Sequence, residues 1–553
     1  MSIAALTFAA VCTVVPPPGP NTAVPGTVTT PFPTLENITV EWGISGDANR
    51  NSVVNVRYRP QGTSAWLQGM PLRRIPAASN EGFSWTERHS GSVFNLQHAT
   101  TYEIELSLTD PDGGNATRMV TVATRGVPAP AANARVRAAT PSTLTSLLNS
   151  AVAGDIIDLA AGSYSAFTVD KSGTAQQPIV IRGNAGTIVN GEIGVFSRAH
   201  IHITGLTVNG RIRFNGSNNI AITRNTINAT SAKGGDGIVT YTRAENAYIA
   251  DNVVNGLTVW AESSLGVSGN NLGEGILVTG PGHAIMNNRV RGMRDGISLF
   301  EEGESVDQYS IDILNNDISE TADDGIEADF CWHNCRIMRN RITNTFIAMS
   351  SQPGLGGPTY FVRNVVYNAA HLAFKQYRGS IGDVLLHNTI VKSGDALADY
   401  AGRPIANTYA RNNLYIGGPG ASYNGYSSGS GRVISTADYV IANTDDDYEA
   451  LGSTLGTFTG NFGGISFTSL AALRANTTQK HSVQIGLDVF AANVALPAQA
   501  MTQFSPQDLR PRAGSPVEDA GVVIPNINDR FTGSGPDMGA YEVGATPPVY
   551  GPR

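Results

Sequence analysis

Ile313-Leu314-Asn315-Asn316-Asp317-Ile318, Ile337-Met338-Arg339-Asn340-Arg341-Ile342 and Phe361-Val362-Arg363-Asn364-Val365-Val366 are three copies of one six-residue pattern, apolar-x-x-Asn-x-apolar, spaced 24 residues apart. Six further copies flank them. Ile222-x-x-Asn225-x-Ile227, Ile249-x-x-Asn252-x-Val254, Val267-x-x-Asn270-x-Leu272 and Ile285-x-x-Asn288-x-Val290 precede; Leu385-x-x-Asn388-x-Ile390 and Tyr409-x-x-Asn412-x-Leu414 follow. The Asn intervals are 27, 18, 18, 28, 24, 24, 24 and 24. A period in this range marks a solenoid. Each repeat offers short strands whose apolar residues face one side. No repeat buries that side alone, so repeats stack. The Asn is expected at a sharp turn, where it tolerates left-handed backbone and its amide bonds the next Asn. The fold predicted is all-β, a right-handed parallel β-helix. No helical period is sustained, and the L-x-x-L-x-L pattern of leucine-rich repeats is absent.

Upstream, Leu144-Thr145-Ser146-Leu147-Leu148-Asn149 and Gly154-Asp155-Ile156-Ile157-Asp158-Leu159 read as a short helix and a strand capping the open end of the solenoid. Pro178 to Gly183 reads as an early rung. Downstream, Gly514-Ser515-Pro516-Val517-Glu518-Asp519-Ala520-Gly521 and Gly535-Pro536-Asp537-Met538-Gly539-Ala540-Tyr541-Glu542 read as a closing segment, similar to the tail of secreted bacterial β-helix proteins. The β-helix is therefore assigned to residues 137–545, and a Pro/Ala-rich linker to 126–136.

Short alternating strands lie before the linker: Ile38 to Trp42, Val53 to Arg59, Tyr102 to Leu106 and Met119 to Ala123. They suit a two-sheet sandwich. Leu96-x-His98-x-Thr100-x-Tyr102, together with Trp42, resembles fibronectin type III domains over residues 28–125, with His98 where Pro is usual. That resemblance implies a spacer or docking module. Residues 1–27 form an N-terminal extension whose apolar stretch Ile3 to Val15 reads either as a remnant of an export signal or as a first strand.

At 553 residues the chain is too long for one compact core. Charged residues are 15%, Gly numbers 61 and the formal net charge is −8. No basic stripe appears, which argues against a nucleic-acid partner. No stretch reaches the length needed to cross a bilayer. Three cysteines exclude a disulfide framework. Cys331 and Cys335 are either locally bonded or free thiols, and a zinc site with His333 lacks a fourth ligand.

Ionisable residues that solenoid packing does not require gather in residues 290–380. Arg294-Asp295-Gly296-Ile297 is followed by Asp323-Asp324-Gly325-Ile326-Glu327-Ala328-Asp329 and by Ala373-Phe374-Lys375-Gln376-Tyr377-Arg378. Counted from the ladder, Asp295 and Asp323 both fall seven residues after their Asn, and Glu327 and Lys375 both fall eleven. Glu327 and Lys375 thus share a face two coils apart, roughly 10 Å along the axis. Aligning the glycines instead pairs Asp295 with Asp324. Carboxylates this close repel unless a cation joins them, and hard oxygen donors favour Ca²⁺, so Asp295, Asp323, Asp324 and Glu327 are the candidate metal ligands. A solvated Asp-Asp-Gly turn is the alternative.

In this order the motifs resemble those of the family 9 polysaccharide lyases over residues 290–380. There an Asp-Gly coil and an Asp-Asp-Gly-x-Asp coil ligate calcium and a later Phe-Lys supplies the base; Glu327 stands here where the family has Asp. The resemblance implies a secreted, periplasmic or cell-surface bacterial enzyme acting on an acidic polysaccharide by β-elimination. Lys375 takes the C5 proton, its pKa lowered by Ca²⁺ and by Arg378. Arg378 pairs with substrate carboxylate or is a surface charge. His333, His371, Tyr377 and Asp329 are candidate substrate contacts, with structural roles as the alternative for the histidines. Trp332 and Tyr360 either stack on sugars or pack between coils. A monomer is the expected state. Two other readings stay open: inverting hydrolysis by a carboxylate pair about 6.5–9.5 Å apart, drawn from Asp324, Glu327 and Asp329, and a non-catalytic glycan-binding β-helix or adhesin.

Overall fold

The computed structural model describes residues 19–305, 307–399 and 402–553. The apolar stretch Ile3 to Val15 lies outside them. Residues from Arg135 onward wind into a parallel β-solenoid with one 13-stranded and one 17-stranded sheet. The repeat pattern explains both. Its first apolar position forms an inward row on one sheet, Ile203, Ile222, Ile249, Ile285, Ile313, Ile337, Phe361, Leu385 and Ala410, each in register with the next. Its second forms a row on the other sheet, running from Val208 and Ile227 through Val290, Ile318 and Ile342 to Ile390. All of these side chains are buried.

The asparagine ladder runs Asn225, Asn252, Asn288, Asn316, Asn340, Asn364, Asn388, Asn413. Asn225 Oδ1 accepts the Leu206 amide at 3.0 Å, and from Asn252 onward each Oδ1 accepts both the backbone amide and the Nδ2 of the Asn one coil earlier, as for Asn340 receiving Asn316 at 3.0 Å in both bonds. Each Nδ2 also donates to a carbonyl of the preceding coil, Asn340 to Ile313 at 2.9 Å. Three sequence readings are corrected here. Asn270 is exposed and belongs to an excursion between coils, so Asn252 bonds Asn288 directly. The last rung is Asn413, because Leu385 pairs with Ala410 rather than Tyr409. The left-handed residue of each turn is the one before the ladder Asn: Arg224, Asp251, Asn287, Asn315, Arg339, Arg363, His387 and Asn412. The ladder Asn is therefore selected for its amide and not for its backbone. Glu449 ends the row by accepting from Asn413 Nδ2 at 3.0 Å.

The helix Leu144–Asn149 and the strand Asp155–Leu159 cover the first coils, as their apolar pattern predicts. At the other end the helix Leu470–Asn476 buries Leu473 in the solenoid core. The C-terminal tail does not close the end. Leu509, Val517, Met538, Ala540 and Tyr550 pack sideways on the outer face of the 17-stranded sheet, against Val365, Tyr367, Val391 and Leu414.

The N-terminal strands form an antiparallel seven-stranded sheet in the order Val24–Thr29, Ile38–Ser45, Arg88–Val93, Leu67–Ile75, Val53–Pro60, Thr101–Thr109, Ala116–Ala123. This is compatible with a β-sandwich. Trp42 is fully buried in its core. The Tyr102 hydroxyl accepts from the Gln97 amide at 2.9 Å, a tyrosine-corner contact. The domain is seated on the outer face of the 13-stranded sheet. Leu35, Met70 and Phe94 pack on Met286, Leu314, Met338, Tyr360 and Val362. Beside them Arg336 and Asp312 form a fully buried ion pair at 2.5 Å. Arg336 Nη1 donates to the Thr39 and Ser92 hydroxyls at 3.0 Å, and Asp312 accepts from Asn37 Nδ2 at 2.8 Å. The pair itself lies within the solenoid, on neighbouring strands, and the bonds from Asn37, Thr39 and Ser92 tie the N-terminal domain to it. Strands such as Asp312–Leu314 and Cys335–Met338 are buried on both faces for this reason.

Candidate functional site

The site lies on the outer face of the 17-stranded sheet, where three coils carry an acidic residue before Gly-Ile: Glu274-Gly275-Ile276, Asp295-Gly296-Ile297 and Asp324-Gly325-Ile326. The isoleucines pair in register, Ile276 with Ile297 and Ile297 with Ile326. The three acids therefore stand in one row. The glycines are required by close approach of the coils. A Cβ at Gly275 would lie 2.4 Å from the Gly296 carbonyl oxygen, and one at Gly296 would lie 2.5 Å from that of Gly325. Asp236-Gly237-Ile238 is a fourth copy one coil earlier.

The register left open by the sequence is decided by a bulge. Met293 pairs with Thr321 and Ile297 with Ile326, so the later coil holds one extra residue between those points. Asp295 thus aligns with Asp324, as the glycines indicate, and its Oδ1 accepts the Asp324 amide at 2.7 Å. Counting from the ladder misassigns Asp323, which is pushed out of the row into the cleft. The next row is Ser298, Glu327, Ser350 and Lys375, each paired with its neighbour. Glu327 and Lys375 do share a face two coils apart. A second extra residue, between Ala369 and Phe374, keeps their counts equal.

Lys375 Nζ forms an ion pair with Asp324 and lies 3.8 Å from Glu327 Oε1. Arg294 reaches Asp295 at 3.3 Å and Asp323 at 3.7 Å. Glu274 accepts from Ser298 Oγ at 2.8 Å. Asp329 accepts from Ser350 Oγ and, at 2.9 Å, from the Gln352 amide. Burial, followed by mutual repulsion among the acids, holds Asp295 and Glu327 well above the carboxylate range. Burial also pushes Asp323, Asp329 and Glu274 up to about 7. Burial alone would lower Lys375, but Asp324, Asp329, Glu327 and Asp323 outweigh it and raise it well above the ordinary lysine value. The expectation of a lowered Lys375 is thus reversed while these carboxylates face the amine. All donors are hard oxygens, and Asp324 Oδ1 and Asp329 Oδ2 are buried without a hydrogen-bond partner among the described residues. Such a set fits a metal ion.

Above this floor opens a cleft of about 490 Å³. Arg294, Glu301, Asp323, Glu327, Lys375 and Gln376 form its polar side. Val267, Phe346, Ile347, Leu372 and Tyr426 form its apolar side. His371 lies in the cleft, stacked on Phe346 with ring centroids 5.1 Å apart and bonded to the Ser427 carbonyl at 2.8 Å. Burial lowers its pKa to about 4. Tyr377 lines the rim and is 43% exposed.

Two candidates are placed elsewhere. His333 faces Glu41 of the N-terminal domain at 3.2 Å and stacks on Tyr309 at 4.7 Å. Burial pushes it down to about 4, so it serves the domain interface. The Arg378 guanidinium is held by Glu81 of the N-terminal domain at 2.6 Å and by Glu302 at 3.3 Å. Trp332 and Tyr360 pack on Phe83 and Phe94 of that domain. Cys331 and Cys335 form a disulfide, which removes any zinc reading. Glu274, Glu301 and the ring platform of Phe346 and Tyr426 escape the sequence reading. The acid-Gly-Ile triplet was a usable signal for Glu274. Nothing in local sequence marks the others.

No protein-family model and no curated protein sequence matches the chain. Among solved structures it is similar to that of the PL6 family alginate lyase AlyGC, with a TM-score of 0.32 and 14% identity over 64% of this chain and 57% of that chain. A likeness so distant does not speak for the chemistry of this cleft.

Proposed function

We propose that this chain is a polysaccharide lyase that cleaves a uronic-acid-containing polymer by β-elimination, with Lys375 as base and calcium as cofactor. The observation that carries the reading is a partly buried amine, Lys375, paired with Asp324 and Glu327 on the floor of an open cleft. Asp295, Asp323, Asp324 and Glu327 are the ligands, joined by Glu274. When bound, calcium withdraws charge from the uronate carboxylate and stabilises the negative charge left by proton loss.

The protein's own groups do the rest. Once Asp324 and Glu327 are engaged as ligands they no longer hold the proton on Lys375, and burial then favours the neutral amine. Lys375 takes the C5 proton, a C4–C5 double bond forms, the C4–O bond breaks, and the leaving oxygen is reprotonated from solvent. Arg294 is 40% exposed and only loosely engaged, so its planar fork is available to a substrate carboxylate. His371, Tyr426 and Tyr377 supply rings against which sugar faces lie, and the buried Phe346 ring supports the first two from beneath. On this reading the protein works as a monomer outside the cytoplasm of a bacterium. The Cys331–Cys335 disulfide supports an oxidising compartment.

The test is a panel of acidic polysaccharides incubated with the protein in calcium or in EDTA. Ultraviolet absorbance from an unsaturated product, lost in EDTA, is the expected result. New reducing ends without that absorbance would mean hydrolysis by the carboxylates instead. Binding without any cleavage would leave a glycan-binding β-helix.

A further inference from the structure

We infer that the carboxylate cluster holds two divalent cations that share Glu327. Carboxylate oxygens of Glu274, Asp295 and Glu327 lie within 4.8 Å of one another, and so do oxygens of Glu301, Glu327 and Asp329. Glu327 alone belongs to both groups. The first group continues the row of acids along the floor. The second lies toward the cleft, which Glu301 and Glu327 both line. Its other two members, Glu301 and Asp329, are required neither by the repeat nor by the ligand set proposed for one calcium.

Asp329 gives the second group an independent mark. The residue is fully buried. Its Oδ1 is anchored by the Ser350 hydroxyl and the Gln352 amide. Its Oδ2 has no hydrogen-bond partner among the described residues. A buried carboxylate oxygen left unpaired is costly, and this one belongs to a residue whose ligand atom is already within reach of two other acids. Charge points the same way. Seven carboxyl groups, Glu274, Asp295, Glu301, Asp323, Asp324, Glu327 and Asp329, face two cationic side chains, Arg294 and Lys375. One divalent cation leaves that imbalance largely in place, whereas two nearly cancel it. The donors are all oxygens and include no His or Cys, which suits Ca²⁺. The second cation would be the one open to the cleft, where a carboxylate of an acidic polymer can complete its shell.

This inference shares one cation with the functional proposal but does not depend on lyase activity. The test is calcium titration by calorimetry of the EDTA-stripped, full-length protein, with the wild type compared with Asp329→Asn and Asp295→Asn. Each variant is expected to bind one calcium fewer than the wild type, and the double variant two fewer. Circular dichroism of the stripped proteins checks folding, and replacing a crowded acid by its amide is expected to leave the melting curve unchanged or raised. A wild type that binds one calcium or none, or an Asp329→Asn variant with the wild-type count, overturns the inference. Lyase activity is read from the unsaturated product, so its failure is a separate result.

Discussion

Lys375 and Asp324 stand two coils apart and are joined by an ion pair across the coil that carries Ile347 and Ser350. The side chain of Asp324 is fully buried and that of Lys375 is 15% exposed. The pair lies at the floor of the cleft with Glu327 beside it. Any chemistry in this cleft has to reckon with that amine.

Lys375→Ala is expected to lower elimination by about 10²–10⁴-fold, the usual contribution of a positioned base. KM should change little, and calcium should still bind. The unsaturated-product assay reads the first and calorimetry the second. Wild-type turnover in Lys375→Ala would remove this residue from the mechanism.

In the absence of divalent cations, stability should fall as pH rises from about 4 to about 7. Asp323, Asp329 and Glu274 have folded-state values near 7, against ordinary values of 3.8, 3.8 and 4.5. Between those limits the folded protein binds more protons than the unfolded chain, so raising the pH favours unfolding. The expected loss is on the order of a few kcal/mol for each of the three groups. Calcium should flatten the slope and add about 2.7 kcal/mol per site at a hundredfold excess over Kd. Melting curves across this range, in EDTA and in calcium, check both. A stability that rises with pH in EDTA would contradict the buried, crowded state of these acids.

Arg378→Ala should act on the rim rather than on the reaction. The guanidinium ties the end of the Lys375 strand to Glu81 and Glu302. Its loss is expected to raise KM more than it lowers kcat, and Glu81→Gln should do the same more weakly. A fall in kcat of about a hundredfold at constant KM would return Arg378 to the catalytic groups.

The ladder makes a sharper stability prediction. Asn340→Ala removes the acceptor of the buried Asn316 amide and Nδ2 and the side-chain donor to the Ile313 carbonyl, while Asn364 Oδ1 keeps the bond from the residue 340 amide. Each such group costs about 1–3 kcal/mol. Asn270→Ala, at an exposed position with the same hexapeptide pattern, should stay within about 0.5 kcal/mol of wild type. Denaturant melts of the two variants distinguish a ladder rung from a chance match.

Much of this was legible in the chain. The hexapeptide repeat marks both inward rows because solenoid packing repeats the same local demand in every coil. It fails at Asn270 and at Asn412. At those positions the pattern occurs without the pairing, and only hydrogen bonds to neighbouring coils tell a rung from a copy. The glycines aligned Asp295 with Asp324 correctly because coil contact excludes a Cβ there. Counting from the ladder did not, because a bulge adds a residue that no local signal announces.

The sequence by itself determined the β-helix, its capping helix, its inward residues and the row of acids before Gly-Ile, since each follows from burial and close approach repeated coil by coil. Only the tertiary structure decided which polar groups meet. The N-terminal domain seats on the 13-stranded sheet and engages His333, Arg378, Trp332 and Tyr360. The two extra residues, before Glu327 and before Lys375, set that acid and that amine in register with Ser298 and Ser350 of the coils between and beside them. Contacts between residues distant in sequence depend on how coils of unequal length are paired, and that pairing is a property of the folded stack.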